Sequence, residues 1–295
     1  MYAVCGATGN IGNKIVLRLL ENDQEVRAIG RTAEKLQPLA DRGAQPVLAD
    51  LADSDALTRA FSGAEAVFVL IPPNPIAPDL RQYQNRVGES IAEAIKRSGV
   101  LHVVNLSSVG AHLSEGVGVV NGLHDQEERL NGLDNVNVLH LRPGFFMENH
   151  LMQVRTIREQ GAMAAPLKAD QPVPQVATAD IASFAAERLR RKDFEGKSIR
   201  ELLGPEDLTP KQSARILGEA IGKTGLQYNE VPYGATRDHL VEAGISKSVA
   251  EGMIELYRAF NEGHARPTEP RSDDSVSSTK LEDFADSFAQ LYRQQ

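Results

Sequence analysis

Through its first half the chain alternates short apolar runs with longer stretches whose apolar residues recur at helical spacing. The runs fall at 2–5, 26–30, 46–49, 66–71, 102–107 and 136–141. Between them Ile11, Ile15, Leu19 and Leu20 share one helical face, and 33–42, 53–61 and 79–98 carry the same spacing. Unalternated apolar runs suit strands buried on both faces, and a helix between successive runs supplies the crossover that parallel strands need. The pattern predicts an α/β fold: a Rossmann-type doubly wound parallel sheet with helices on both faces.

Near Pro143 the rhythm gives way to a more polar stretch that reaches about Pro174, after which a helix over 178–191 and a strand over 198–203 return to the sheet. The expected organisation is a dinucleotide-binding domain over 1–143 to which 176–203 returns, and a smaller, discontinuous C-terminal α/β lobe from 144–175 and 204–295. In that lobe Thr209, Pro210 and Gln212 supply an N-cap, a first-turn proline and a capping-box partner for a helix reaching about Ile221. Helices follow at 233–243 and 247–261. A Pro/Ser/Asp-rich connection over 266–278 is expected to be ordered, because an apolar-faced helix over 281–292 comes after it.

Composition narrows the function. The formal net charge of −8 works against binding to nucleic-acid backbones or anionic membranes. Cys5 is the only cysteine, which removes an intramolecular disulfide and any cysteine-based metal cluster, and its apolar setting predicts a core thiol. No apolar stretch approaches the roughly 20 residues that span a bilayer. The N-terminus enters a strand-like run at once, and a cytoplasmic location is expected. The seven histidines are scattered without ligand spacing, so no metal site is expected. Nucleophile-elbow, zinc-protease and Walker phosphate-loop motifs are missing.

The sharpest local feature is Gly6-Ala7-Thr8-Gly9-Asn10-Ile11-Gly12, which follows the first strand and opens the first helix. Glycines there let backbone N–H groups approach a pyrophosphate, and the helix N-terminus presents the positive end of its dipole. Gly6, Thr8, Gly9, Asn10, Ile11 and Gly12 are therefore candidate cofactor contacts. An NAD site places an acid at the end of the second strand, whereas this chain has Gly30-Arg31 with Lys35 one turn on. Two cations at that place suit a 2′-phosphate, which points to NADP(H); the alternative is a pair of solvated surface charges. Asp50 and Leu51 close the third strand where the adenine lies in such sites. Ile71 and Pro72 end the fourth strand over the cofactor, or form only a helix-free connection.

With these residues the sequence resembles the NmrA-like branch of the atypical short-chain dehydrogenases. The resemblance includes Val103-Val104-Asn105-Leu106-Ser107-Ser108, Leu141-Arg142-Pro143-Gly144-Phe145-Phe146-Met147-Glu148-Asn149, Thr178-Ala179-Asp180-Ile181-Ala182, and Glu195-Gly196-Lys197 through Leu203-Gly204-Pro205. It implies two lobes with a ligand cleft between them. It also implies either an NADPH-dependent reductase, quinone reductases included, or a redox-sensing regulator that binds the dinucleotide and acts through a protein partner. The broader superfamily uses a Tyr-x-x-x-Lys pair; the matching segment here is His124-Asp125-Gln126-Glu127-Glu128, with histidine for tyrosine and glutamate for lysine. His124 is then the candidate proton donor, oriented by Glu128, or one half of an exposed helical pair. Ser108 is a candidate for the substrate carbonyl and Ser107 for the cofactor, unless both only satisfy the strand end. Phe145, Phe146 and Asn149, with Met147 between them, are candidates for stacking on and holding a flat substrate, the alternative being core. The reading is an NADP(H)-dependent oxidoreductase acting on a quinone or small carbonyl compound. Its alternatives are a dinucleotide sensor without turnover and, less supported without the tyrosine and lysine, a nucleotide-sugar epimerase or dehydratase.

Overall fold

The computed structural model describes residues 1–273 and 275–294. Its first half runs β1 (Tyr2–Val4), α1 (Asn10–Leu20), β2 (Val26–Gly30), α2 (Ala33–Ala40), β3 (Gln45–Leu48), α3 (Ser54–Phe61), β4 (Ala66–Leu70), α4 (Leu80–Ser98), β5 (His102–Leu106), α5 (Asn121–Asn131) and β6 (Asn137–Pro143). The second half runs β7 (Phe145–Phe146), α6 (Gln153–Gln160), β8 (Ala162–Ala165), β9 (Val173–Val176), α7 (Thr178–Arg191), β10 (Lys197–Leu202), β11 (Asp207–Leu208), α8 (Pro210–Ala220), β12 (Gln227–Glu230), α9 (Tyr233–Glu242), α10 (Lys247–Asn261) and α11 (Leu281–Gln294).

Seven parallel strands form the main sheet in the order β10-β6-β5-β4-β1-β2-β3. The central strands are buried on both faces, as their unbroken apolar runs require. One face is covered by α1, α2 and α7 through Ile15, Leu19, Leu36, Leu39, Ile181 and Leu189. The other is covered by α3, α4 and α5 through Leu57, Phe61, Val87, Ile91, Ile95 and Leu130. Strand order reverses between β1 and β4, and the crevice beyond their C-terminal ends is where open α/β sheets bind ligands. Local chemistry sets the helix starts: Asp53 caps α3, Asp79 caps α4, and Thr209 with Gln212 forms the expected capping box on α8.

The stretch after Pro143 is more structured than its polarity suggests. Strand β7 joins β9 and β11 in a small sheet, β8 pairs with β12, and a 3-10 turn at Met147–Met152 leads into α6. These strands are two to four residues long and pair with distant segments, so periodicity within the stretch does not reveal them. Met147, Ile157, Met163, Leu217, Phe284 and Phe288 give this lobe its own core. The 266–278 connection is ordered where described: buried Glu201 on β10 accepts hydrogen bonds from the Thr268 N–H and hydroxyl and from the Glu269 N–H. Among the described residues, no helix is long and apolar enough to cross a membrane.

Candidate functional site

The glycine loop turns at Gly6, whose φ of +63° favours a residue without Cβ. A Cβ on Gly12 would sit 2.3 Å from the Gly6 carbonyl oxygen, so the bare glycine allows α1 to close on the loop itself. Thr8, Gly9 and Asn10 are exposed at the mouth, whereas Ile11 is buried under it. Helix α1 begins at a glycine N-cap with no side-chain cap and no acid in its first turn. Its first N–H groups lack intrahelical acceptors and point at the crevice, an arrangement suited to a phosphate.

Arg31 and Lys35 are exposed beside the end of β2. Arg31 and Asp50 both act on the phenol of Tyr83, a residue of α4 that the sequence pattern did not single out. Burial raises the Tyr83 pKa, the Arg31 charge opposes the rise, and the Asp50 charge adds to it. Asp50 also accepts from the Ala52 N–H at 2.9 Å, which fixes the turn after β3. The Leu51 side chain is buried in the core beneath. Ile71 and Pro72 are half-buried, and the Pro72 carbonyl accepts the Tyr83 hydroxyl proton at 3.0 Å.

At the ends of β5 and β6 the chain builds a buried ion pair. Arg142 donates from Nε and Nη2 to Glu127 at 3.0 and 2.6 Å, and the Ser107 hydroxyl donates to the same carboxylate. Glu127 and Arg142 are almost fully buried, a placement that charged residues tolerate only when paired. Ser107 is thus turned into the protein, and the Ser108 hydroxyl donates to the Val109 carbonyl at 3.0 Å.

His124 is half-buried on α5 with Nδ1 2.9 Å from the Ala111 carbonyl. A carbonyl only accepts, so Nδ1 carries the hydrogen and Nε2 of the neutral ring presents a lone pair. The orienting group is therefore Ala111 and not Glu128, which is exposed and accepts from Asn131. The next residue, Asp125, is held by Arg81 through two 2.8 Å hydrogen bonds, and this lowers its pKa.

Phe145 and Phe146 lie half-buried on β7 and face opposite ways, as strand neighbours do. Phe146 packs on the main-sheet core with Leu141 and Val176. Phe145 packs on a cluster with Leu167, Val173 and Phe260. Met147 is buried in the second lobe and offers nothing to a ligand, whereas Asn149 is half-exposed. Between them Glu148 accepts from the Thr178 N–H at 3.1 and 3.0 Å, one bond to each carboxylate oxygen, and from its hydroxyl, which fastens this turn to the start of α7.

Residues 2–287 match the sequence model of the NmrA-like family. An NAD(P)H azoreductase of Xenophilus azovorans is 30% identical over 257 residues, covering 87% of this chain and 86% of that protein. The fold is similar to that of Citrobacter sp. triphenylmethane reductase complexed with NADP(H), at a TM-score of 0.83 and 25% identity over 98% of this chain and 100% of that one. It is also similar to that of an Escherichia coli NADPH-dependent quinone oxidoreductase complexed with NADPH, at a TM-score of 0.81 and 24% identity over 99% and 100%.

Proposed function

The chain belongs to the NmrA-like family, and from that premise we propose that it is an NADPH-dependent reductase whose acceptor is a flat, electron-poor molecule of the quinone or azo class. The observation that carries the reading is the acid-free N-terminus of α1 behind the glycine loop, with Arg31 at the end of the neighbouring strand. Gly6, Thr8, Gly9, Asn10, Ile11 and Gly12 would hold the diphosphate, Arg31 and Lys35 the 2′-phosphate, and the Asp50 turn with Tyr83 the adenosine end. The reduced nicotinamide supplies a hydride when bound.

The remaining work falls to this chain. The acceptor lies between the ends of β4 and β5 and the second lobe, residues 144–175 and 204–295, with Phe146 and Asn149 on its substrate side. Quinone, azo and carbonyl acceptors each take up one hydride and one proton. The proton comes from His124 in its imidazolium form, leaving through Nε2 while Nδ1–H stays on Ala111. A quinone product can also draw its proton from water, so His124 matters most for a carbonyl. The azoreductase relative and the two reductase structures support this class of chemistry. The test is NADPH oxidation against quinones, azo dyes and aldehydes: saturable oxidation with a quinone or azo dye is expected, and activity with aldehydes alone would overturn the acceptor class.

A further inference from the structure

The segment between β4 and α4, Ile71-Pro72-Pro73-Asn74-Pro75-Ile76-Ala77-Pro78-Asp79, has proline at four of its nine positions. Those positions have no N–H, and the N–H groups of Ile76 and Ala77 turn inward onto Asn74, at 3.3 and 3.2 Å. The segment is therefore fastened to its surroundings mainly by carbonyl oxygens that accept from elsewhere. The Pro72 carbonyl accepts from Tyr83 on α4. The next two donors both come from Ser246, the N-cap of α10 in the second lobe: its N–H reaches the Pro75 carbonyl at 2.8 Å and its hydroxyl the Ala77 carbonyl at 2.5 Å. Two residues on, the Ser248 hydroxyl accepts from the Leu80 N–H at 3.0 Å, joining the starts of α10 and α4.

The same helix abuts the other wall of the cleft. A Cβ on Gly118, in the turn leading into α5, would stand 1.9 Å from the Gly252 carbonyl oxygen of α10. Helix α10 thus touches both the proline segment and the approach to the helix that carries His124. We propose that Ser246 is a positioning residue for dinucleotide binding: from the second lobe it straps the proline segment over the bound nucleotide, so that release requires its hydrogen bond to Ala77 to break. This rests on the nucleotide reading above.

Ser246 also accepts from the Val249 N–H at 3.2 Å, as the cap of α10, and the test separates the two roles. In Ser246→Asp the cap acceptor is kept but the donor to the Ala77 carbonyl is lost, whereas Ser246→Thr keeps both. Stopped-flow release of NADPH and of NADH from the full chain is expected to be about tenfold faster in Ser246→Asp, the size expected for one lost hydrogen bond, with the preference between the two nucleotides unchanged. Ser246→Thr should release both at the unmutated rate. Unchanged release from Ser246→Asp would overturn the proposal, as would acceleration in Ser246→Ala alone, which would assign the effect to the cap. Failure of the unmutated protein to bind NADPH would overturn this proposal together with the nucleotide reading. Binding with the preference intact but no effect at Ser246 would overturn this proposal alone.

Discussion

Arg31, with Lys35 one turn on, stands at the end of β2 where the proposed 2′-phosphate contact would separate the two cofactors. A charged hydrogen bond to a 2′-phosphate contributes about 1.5–3 kcal/mol, so Arg31→Ala should weaken NADPH binding by roughly 10- to 150-fold and leave NADH nearly untouched. Calorimetric titration of both nucleotides checks this, and equal affinities in the unmutated protein would remove the role. His124 makes a second separable statement. With Nδ1–H on Ala111, a proton can leave the ring towards an acceptor only through Nε2, so loss of His124 should slow aldehyde turnover more than quinone turnover. His124→Phe should lower aldehyde turnover about 10²- to 10⁴-fold with NADPH affinity nearly unchanged; full turnover in that variant would make His124 a surface residue. Arg31 and the glycines were readable as candidates because each sits at a fixed offset from a strand end, and His124 only because its segment stands where the superfamily has Tyr-x-x-x-Lys. Tyr83 and Glu127 were not, because each lies inside a helix and is identified only by what crosses to it: the Arg31 and Asp50 charges for one, Ser107 and Arg142 for the other.

Among the elements, α1 and the Glu127–Arg142 link between α5 and β6 carry the site. A methyl group at position 12 would collide with the Gly6 carbonyl. Gly12→Ala should therefore lower stability by about 1–3 kcal/mol and weaken both nucleotides, read by thermal melting and titration. Glu127→Ala strands a buried guanidinium and should lower stability by about 3–5 kcal/mol, measured by urea unfolding; a loss below about 1 kcal/mol would show that water reaches the pair. The long helices and the central strands were readable because each satisfies its own periodicity. Helix α5 was harder: it buries Gln126 and Glu127 beside Leu130, so its inner face is half polar. The pairings of β7, β8, β9, β11 and β12 depend on partners tens of residues away.

At the scale of the whole molecule, the sheet itself carries a titratable group. His140 on β6 is buried between Asn105, 3.1 Å from Nδ1, and Asn131, 3.0 Å from Nε2, and burial pushes its pKa from 6.5 to about 4. The folded chain thus refuses a proton that the unfolded chain accepts. The neutral ring's contribution is fully present above pH 6.5 and is lost as pH falls from there to about 4, roughly 3 kcal/mol in all at 1.36 kcal/mol per pKa unit. Urea midpoints should fall over that range, and less steeply in His140→Gln; parallel curves would contradict a neutral His140. A reductase and a sensor would both bind the dinucleotide in the same crevice, so turnover is what tells the proposed reductase from a sensor. A single-turnover experiment separates them: the protein loaded with one equivalent of NADPH is mixed without oxygen with excess quinone, and the bound nucleotide is followed. The account predicts that the bound NADPH is oxidised completely, faster than free NADPH under the same conditions. Bound NADPH that persists, or reacts no faster than free NADPH, would contradict it.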